Sequence, residues 1–467
     1  MTLIKSISGI RGTMGGPEGD GLTPIDVVKF ASSFCAMMQN KNRRDDIVIV
    51  VGRDARISGA MVAGLVNNTL VGMGAQVIDL GLSTTPTVEI AVPLENAQAG
   101  IILTASHNPK QWNALKLLNE KGEFISAEEG AEVLRLAESG EVSFASIDSL
   151  GSVQQKDYLQ KHLDAILALT AVNREMIAAA NLHVAVDAVN STGGIYVPAL
   201  LRALGVQQIH EIHCIPDGQF PHNPEPLPEH LKDIAGLVID KNCHMGIVVD
   251  PDVDRLAFVC EDGSMFGEEY TLVAVADYIL SRKKGNTVSN LSSTRALRDV
   301  TRMHGGSYIA SAVGEVNVVK AMKATVAVIG GEGNGGIIYP DAHYGRDALT
   351  GLALFLSHFV EKKLSMSQLR DSYPAYVISK NKIELNASMN VDAILEGVKQ
   401  MFPEAEVNTE DGVKFDFPDG WVHLRKSNTE PIVRVIAEHS SREAADELAG
   451  RVMRAVLQLA GGIGISS

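Results

Sequence analysis

The sequence predicts an α/β protein of four domains: three related βαβαβ units with mixed, mostly parallel sheets, followed by a small α+β domain. Up to about residue 330, short apolar runs and the segments between them repeat the order strand, helix, strand, helix, strand three times. From about residue 370 onward, short alternating strands replace that order. A chain of 467 residues with 45% hydrophobic residues contains enough apolar material for several such cores.

The first unit opens with a strand that leads into a glycine-rich turn around Arg11. Thr23 and Pro24 then have the types expected at the N-cap and first position of a helix. The remaining elements predicted for this unit are strands 47–51, 76–80 and 99–103 and helices 58–72, 86–95 and 126–138. The last of these helices starts with a capping-box pattern, and the polar segment 140–157 is predicted to be a connection. We place the first domain at residues 1–153.

The same order recurs in the next two units, which we place at 154–256 and 257–369. The second unit has predicted strands 182–186, 207–212 and 245–249 and helices 195–204 and 229–236. The third has strands 286–290, 307–311 and 325–329 and helices 294–303 and 315–323. For the last domain, 370–467, we predict strands 380–384, 412–417 and 421–424 and helices 391–401 and 441–459.

Charge and cysteine content restrict the class of protein. The 41 basic and 56 acidic residues give a net charge of −15, which disfavours binding to nucleic acid or to an anionic membrane surface. The four cysteines are scattered, without metal-binding spacing, as expected for reduced thiols. Because the sequence shows neither a signal-like apolar start nor a long apolar span, we expect a cytoplasmic protein. The expected partner is a small molecule, and the oligomeric state is left open, a homodimer included.

Each of the three units ends in an unusual loop, and the first presents a hydroxyl. Residues 104–109 read TASHNP and follow a buried strand, and Pro109 stops that strand just after Ser106 and His107. Ligands of α/β proteins bind at the carboxyl ends of the strands. Ser106 is therefore a candidate nucleophile, although an ordinary polar turn would show the same residue types.

The loop that ends the second unit, residues 250–255, carries three alternating carboxylates. Asp250, Asp252 and Asp254 could converge on one hard cation such as Mg²⁺. An EF-hand is excluded because Arg255 stands where that loop needs glycine. The alternative is a solvated acidic turn, but apolar segments flank the loop on both sides. Since unpaired buried carboxylates are costly, a metal is the better interpretation.

Three further groups have residue types suited to a phosphorylated sugar. Arg11, Arg53 and Lys116 could offset the charge of a phosphorylated Ser106, and Lys116 could act as a general base if its pKa were depressed. Glu332 lies in a glycine-rich loop suited to sugar hydroxyls. Donors for a phosphate group follow the strands of the last domain: Arg425, Ser427, Asn428, Thr429 and Arg434. Each cation alone could equally be a surface residue, and the last loop an ordinary hairpin turn.

With the four loops 104–109, 250–255, 331–336 and 425–431, the chain closely resembles the α-D-phosphohexomutase superfamily over essentially its whole length. The resemblance implies four domains around one central cleft. It also implies an enzyme that interconverts hexosamine or hexose 6-phosphate and 1-phosphate through a phosphoserine and a 1,6-bisphosphate intermediate. The form of the sugar loop looks most like archaeal-type phosphoglucosamine mutases, with phosphomannomutase/phosphoglucomutase as the alternative. A Mg²⁺-dependent phosphatase and a non-catalytic sugar-phosphate binding protein are the rivals from other classes.

The resemblance also assigns roles to residues. Ser106 would be the phosphoserine and would bind Mg²⁺ together with Asp250, Asp252 and Asp254. The reacting site would be lined by Arg11, His107, Lys116 and Arg255. The substrate would contact Glu332, Asn334, Arg425, Ser427, Asn428, Thr429 and Arg434. Glucose or glucosamine 1,6-bisphosphate would serve as activator.

The sugar loop departs from the family pattern at two positions. Many members have serine and histidine where this chain has Asn334 and Gly336. In some of them the histidine is implicated in proton transfer, so this role has no residue at the same position here. His343, a few residues downstream, is the candidate replacement.

Overall fold

The computed structural model describes residues 2–6, 9–384, 390–426 and 432–463 and confirms the predicted fold class. It contains four sheets, of seven, four, four and five strands. We call the parts of the chain built on these sheets domains 1 to 4. The first three sheets mix parallel and antiparallel pairs, and the fourth is antiparallel.

Domain 1 is built on the seven-stranded sheet, in the order β1-β2-β6-β5-β3-β4-β7. Its strands are β1 (Ile4–Ser6), β2 (Gly9–Thr13), β3 (Val48–Arg53), β4 (Gln76–Leu82), β5 (Ala99–Leu103), β6 (Trp112–Leu118) and β7 (Ser152–Gln155). Its helices are α1 (Pro24–Asn42), α2 (Gly59–Gly72), α3 (Thr85–Leu94) and α4 (Ala127–Ser139). Thr23 caps α1 in a capping box with Asp26, and Ser126 and Glu129 do the same for α4.

Two strands of this sheet were not predicted. β6 pairs antiparallel with β5, so the Ser106 loop is the connection of a hairpin. β7 lies within the segment predicted as a connection and pairs with β4 at the edge of the sheet. All four of its residues are exposed, which explains why no apolar alternation marked it.

Domain 2 contains the sheet β11-β10-β8-β9. Its elements are α5 (Leu159–Leu167), α6 (Arg174–Ala179), β8 (His183–Asp187), α7 (Gly193–Ala203), β9 (Gln208–Ile212), α8 (Lys232–Asp240), β10 (Met245–Val249) and β11 (Leu256–Cys260). β10 and β11 form a hairpin around the acidic loop, as β5 and β6 do around Ser106. A fully buried pair of strands therefore fixes both ends of that loop.

Domain 3 contains the sheet β13-β12-β14-β15 and shares its hydrophobic core with domain 2. Its elements are α9 (Glu268–Arg282), β12 (Asn286–Asn290), α10 (Ala296–Met303), β13 (Tyr308–Ser311), α11 (Glu315–Thr325), β14 (Ala327–Glu332), β15 (Gly336–Ile338), α12 (Ala348–Lys362) and α13 (Met366–Asp371). Phe258 of β11 stacks on Phe355 of α12 with ring centroids 3.9 Å apart. The two middle domains are thus joined by apolar packing, which holds their loops in a fixed relation.

Domain 4 is the antiparallel sheet β16-β20-β19-β18-β17 covered by two helices. Its elements are β16 (Val377–Glu384), α14 (Val391–Val398), β17 (Glu406–Asn408), β18 (Val413–Asp416), β19 (Trp421–Lys426), β20 (Ile432–His439) and α15 (Arg442–Ile463). Across the described residues of the whole chain, no helix combines the length and apolar character needed to cross a membrane.

Candidate active site

Ser106 is held in an unusual backbone conformation at the end of β5. Its φ is +48°, in the left-handed region that residues other than glycine seldom adopt. The turn is fixed by its own N–H, which donates to Thr104 Oγ1 at 2.9 Å. As a result the Ser106 hydroxyl leaves domain 1 and donates to Asp250 Oδ2 of domain 2 at 2.7 Å.

A buried arginine, Arg56, supports this loop. Its Nε donates to Asp54 Oδ2 at 3.0 Å, and its side chain is fully buried. The guanidinium also donates to four backbone carbonyls of the loop, those of Ser106, Asn108, Pro109 and Trp112. No motif in the sequence had singled out Arg56. Arg53, which the sequence analysis had proposed as a cation near Ser106, instead donates to the carbonyl oxygen of Asp54 at 3.2 Å.

The three aspartates of the acidic loop converge. Asp250, Asp252 and Asp254 are fully buried, and their ligand atoms lie within 4.8 Å of one another. Val253 has a φ of +62°, which turns the chain so that the carboxylates face one another. Burial and the two neighbouring carboxylates raise the pKa of Asp250 well above its usual value. The Oδ1 atoms of Asp252 and Asp254 are buried without a hydrogen-bond partner, so this donor set fits a divalent cation.

Lys116 reaches the acidic loop from β6. Its Nζ lies 2.7 Å from Asp252 Oδ2 and 3.4 Å from Asp254 Oδ2. Burial lowers the pKa of Lys116, but the two carboxylates outweigh it and the pKa is raised. The sequence analysis made a general-base role of Lys116 depend on a depressed pKa, and the pKa here is shifted in the opposite direction. Lys116 therefore acts as a cation that pairs with two carboxylates of the acidic loop.

Three more of the predicted residues surround the same point. Arg255 Nε lies 4.0 Å from Asp250 and 3.9 Å from Asp254. Burial and the charge of Arg255 lower the pKa of His107 well below its usual value, and its buried Nδ1 lacks a hydrogen-bond partner. The pKa of Arg11 is lowered by burial and by Arg434, which places that cation of domain 4 close to domain 1. Arg255 and Arg11 therefore bring positive charge close to His107, the neighbour of Ser106.

Arg346, to which the sequence assigned no role, links the acidic loop to the sugar loop. Its Nη2 lies 2.7 Å from Asp254 and its Nη1 3.2 Å from Glu332, while its Nε donates to Glu315 at 2.8 Å. Glu332 also accepts from Asn290 Nδ2 at 2.9 Å and from the Gly314 N–H at 3.1 Å. Glu332 is thus fixed in orientation before any ligand binds.

The other residues of the sugar loop have local contacts. Asn334 Oδ1 accepts from the Gly336 N–H at 3.2 Å and so stabilises its own turn. His343 lies between two carboxylates, with Nδ1 3.5 Å from Glu89 and Nε2 3.4 Å from Asp347. Glu89, on α3, is buried without a hydrogen-bond partner, and burial and the charge of Glu315 raise its pKa. Glu89 was not identified from the sequence, because it occupies an ordinary position within a helix.

The predicted phosphate clamp is described only in part. Arg425 Nε lies 2.8 Å from Asp411 Oδ2, which also accepts from the Val313 N–H of domain 3 at 2.9 Å. Arg434 pairs with Arg425 across β19 and β20 and is exposed. Ser427, Asn428 and Thr429 lie outside the described residues.

Comparison with known proteins identifies the family. The models of the phosphoglucomutase/phosphomannomutase family match in order along the chain: α/β/α domains I, II and III at residues 3–143, 160–263 and 267–376, and the C-terminal domain at 382–455. Among curated proteins, a phosphoglucomutase/phosphomannomutase of Thermococcus kodakarensis is 33% identical over 93% of this chain and 96% of its own length. A phosphoglucosamine/phosphogalactosamine mutase of Sulfurisphaera tokodaii is 30% identical over 98% and 99%.

Among solved structures, a phosphoglucomutase/phosphomannomutase family protein of Burkholderia thailandensis superposes with a TM-score of 0.84 at 26% identity, and the match covers 98% of both chains. The likeness therefore extends over all four domains and not over one shared module. The chain belongs to the phosphoglucomutase/phosphomannomutase family and is a phosphohexomutase.

Proposed function

We propose that this enzyme moves a phosphoryl group between the 6- and 1-positions of a hexosamine phosphate, with glucosamine phosphate as the preferred substrate. Mannose and glucose phosphates are the alternatives, because relatives with names of both kinds match at similar identity. The observation that carries the proposal is the 2.7 Å hydrogen bond from Ser106 to Asp250. It brings the candidate nucleophile of one domain to the metal-type cluster of another.

Ser106, once phosphorylated, donates its phosphoryl group to the free hydroxyl of the sugar phosphate. The resulting 1,6-bisphosphate reorients and returns its other phosphoryl group to Ser106. Asp250, Asp252 and Asp254 would hold Mg²⁺, which neutralises charge on the transferring group when bound. Lys116, Arg255 and Arg11 bring further positive charge to the same place.

The sugar and its second phosphate are assigned to domains 3 and 4. Glu332, whose orientation is fixed by Arg346 and Asn290, accepts from ring hydroxyls, and Asn334 shapes the loop beside it. The non-reacting phosphate is held by Arg425, Ser427, Asn428, Thr429 and Arg434. Closure of domain 4 keeps water from the phosphoserine, which prevents hydrolysis. We assign these roles to the four domains proposed at 1–153, 154–256, 257–369 and 370–467; β7, β11 and α13 cross these boundaries and belong to domains 1, 2 and 3.

The test combines mass spectrometry with a coupled assay. We expect intact mass to show one phosphoryl group on the wild type and none on Ser106→Ala. We also expect Ser106→Ala to lose mutase turnover with the 6-phosphates of glucosamine, glucose and mannose assayed side by side. Ser143→Ala, an exposed serine in the connection before β7, is the matched control and should retain both properties.

Two results would contradict the proposal. Near-normal turnover in Ser106→Ala would exclude the phosphoserine route. A mannose or glucose phosphate preferred over glucosamine phosphate by kcat/KM would leave the mechanism intact and replace the proposed substrate.

A further inference from the structure

A second group of metal-binding side chains lies outside the acidic loop. Asp187 is the last residue of β8, and His213 directly follows β9, the strand next to it in the sheet. His222 comes from the long segment between β9 and α8. Asp187 is 1% exposed, while His213 and His222 have 17% and 13% of their side-chain surface exposed. The cluster therefore has a buried carboxylate and one side open to water.

Both imidazoles of the cluster lie within hydrogen-bond distance of the same carboxylate oxygen. Asp187 Oδ2 lies 2.9 Å from His213 Nδ1 and 3.1 Å from His222 Nε2, and all three ligand atoms lie within 4.8 Å of one another. In a tetrahedral zinc site with bonds of about 2.0–2.1 Å, neighbouring ligand atoms are about 3.3 Å apart. The two distances from Asp187 Oδ2 would each have to lengthen by a few tenths of an ångström to reach that separation.

The hydrogen bond of His222 to the backbone leaves its Nε2 facing Asp187. His222 Nδ1 lies 2.8 Å from the carbonyl oxygen of Asn223, which can only accept, so Nδ1 carries the hydrogen. A neutral His222 then presents the Nε2 lone pair to Asp187 Oδ2, and two acceptors face each other. Either a second proton on His222 or a metal ion between the groups resolves this conflict.

The surrounding contacts match those of metal ligands. Histidines that bind a metal usually donate their other N–H to a carbonyl or carboxylate, as His222 does to Asn223. The second oxygen of Asp187 accepts from the Val189 N–H at 2.9 Å, which leaves Oδ2 for the shared centre. We propose that Asp187, His213 and His222 bind one Zn²⁺ ion, with water as the fourth ligand, at a site separate from the acidic loop.

The position of the site indicates a structural role. The segment that contains His222, between β9 and α8, contacts domain 1: the centroid of the Phe220 ring lies 5.1 Å from the guanidinium of Arg56. A Cβ on Gly218 would lie 2.1 Å from the Ala55 carbonyl oxygen, so the two backbones are in close contact there. Further along, Glu225 Oε1 lies 3.5 Å from Arg255 Nη1. The metal would fix a segment that supports the arginines on both sides of Ser106.

The test measures zinc binding to the full-length protein in excess Mg²⁺. Mg²⁺ occupies sites made of oxygen ligands but competes poorly with Zn²⁺ for sites that contain imidazole. Protein stripped with a chelator and dialysed into Mg²⁺ is titrated with Zn²⁺, and the bound metal is counted by mass spectrometry. We expect one Zn²⁺ per chain in the wild type, in Asp252→Asn, which alters the acidic loop, and in the matched control His210→Gln on β9. We expect none in His213→Gln or His222→Gln.

A second readout needs no variant. Co²⁺ in place of Zn²⁺ should give the strong visible absorption of a four-coordinate site with nitrogen ligands, which six-coordinate oxygen sites do not give. Zinc that persists in both histidine variants, or that disappears in Asp252→Asn, would overturn the proposal. So would the absence of both zinc binding and the Co²⁺ spectrum in the wild type, which would mean that a doubly protonated His222 neutralises Asp187.

Discussion

Two buried arginines hold the two ends of the cleft in different ways. Arg56 and Arg295 are 1% and 5% exposed, and each donates to several backbone carbonyls and one carboxylate. All hydrogen-bond partners of Arg56 named above belong to domain 1 and include the Ser106 loop itself. Arg295 lies in domain 3 and donates to Asp416 and to the carbonyls of Pro418, Phe417 and Gly420 in domain 4.

The surroundings of the two arginines also differ: Arg56 lies within one domain, and Arg295 lies at the contact between two domains. Arg56 lies beside the strands of one continuous sheet, whereas the contact around Arg295 is polar. There Ser292 bonds His423 at 2.9 Å and Lys380 pairs with Glu268 at 2.9 Å. Polar contacts between domains are the kind that permit relative motion. The geometry at Ser106 is thus fixed within one domain, whereas the contact of domain 4 is of the kind that allows it to adjust.

The largest effect is expected from Arg56→Lys. Lysine keeps the charge but has three donors in place of five, so buried carbonyls of the Ser106 loop lose their partners. We expect kcat to fall at least about 100-fold, which corresponds to ~2.7 kcal/mol in the barrier. The free energy of unfolding should fall by about 2 kcal/mol. Steady-state kinetics and urea denaturation measure the two quantities.

Arg53→Lys is the control for this change, since Arg53 lies three residues away and donates to the Asp54 carbonyl. It should lose less than about threefold in kcat, under ~0.7 kcal/mol. If Arg56→Lys behaved like its control, the Ser106 loop would not depend on that guanidinium, and the comparison of the two ends would fail.

Arg56 is also an example of a residue of the site that could not be predicted from the sequence. The convergence of Ser106 with Asp250 follows from strand order, because both residues were placed at strand ends where ligands bind. The supporting residues follow no such rule. Arg56 and Arg346 contact the site only after chain segments about 50 and 92 residues away are brought to them. Strands β6 and β11 were missed for another reason: the apolar residues that follow each loop were not identified as the antiparallel partner of the strand before it.

Arg295→Lys should have a smaller effect, and of another kind. Domain 4 retains its own core of strands and two helices, so its fold should persist while its contact with domain 3 weakens. We expect KM to rise about tenfold, ~1.4 kcal/mol, with a smaller change in kcat. Limited proteolysis should show faster cleavage between domains 3 and 4.

The control is Arg298→Lys on the same helix, whose Nε pairs with Asp299 at 3.0 Å and which should keep wild-type kinetics. A loss in kcat with KM unchanged in Arg295→Lys would mean that the domain 3–4 contact positions the reacting groups directly. In that case the two arginines would act alike.

The last prediction concerns stability alone, with no expected change in turnover, and tests whether water is excluded from the domain 3–4 contact. Lys414 of β18 is 7% exposed, with Nζ 4.4 Å from the ring centroid of Trp421. Burial, together with the charges of Arg295 and Arg298 and against those of Asp416 and Glu438, lowers its pKa to about 8. The unfolded chain, with a lysine pKa near 10.5, binds the proton more tightly than the folded one. Stability from this group therefore rises as pH increases from about 8 to about 10.5.

Lys414→Met keeps an apolar side chain of similar length and removes the ionisable amino group. At pH 7 the variant should be more stable than the wild type by up to about 3 kcal/mol, the equivalent of ~2.5 pKa units, and the difference should shrink to nothing above pH 10.5. Trp421 is fully buried in this domain and is one of two tryptophans, so its fluorescence during urea denaturation in a Trp112→Phe background reports domain 4 separately. Lys399→Met, in the turn that follows α14, is the control for the loss of a lysine from domain 4. A pH-independent difference between wild type and Lys414→Met would mean that water reaches Lys414 and that the contact around Arg295 is open in solution.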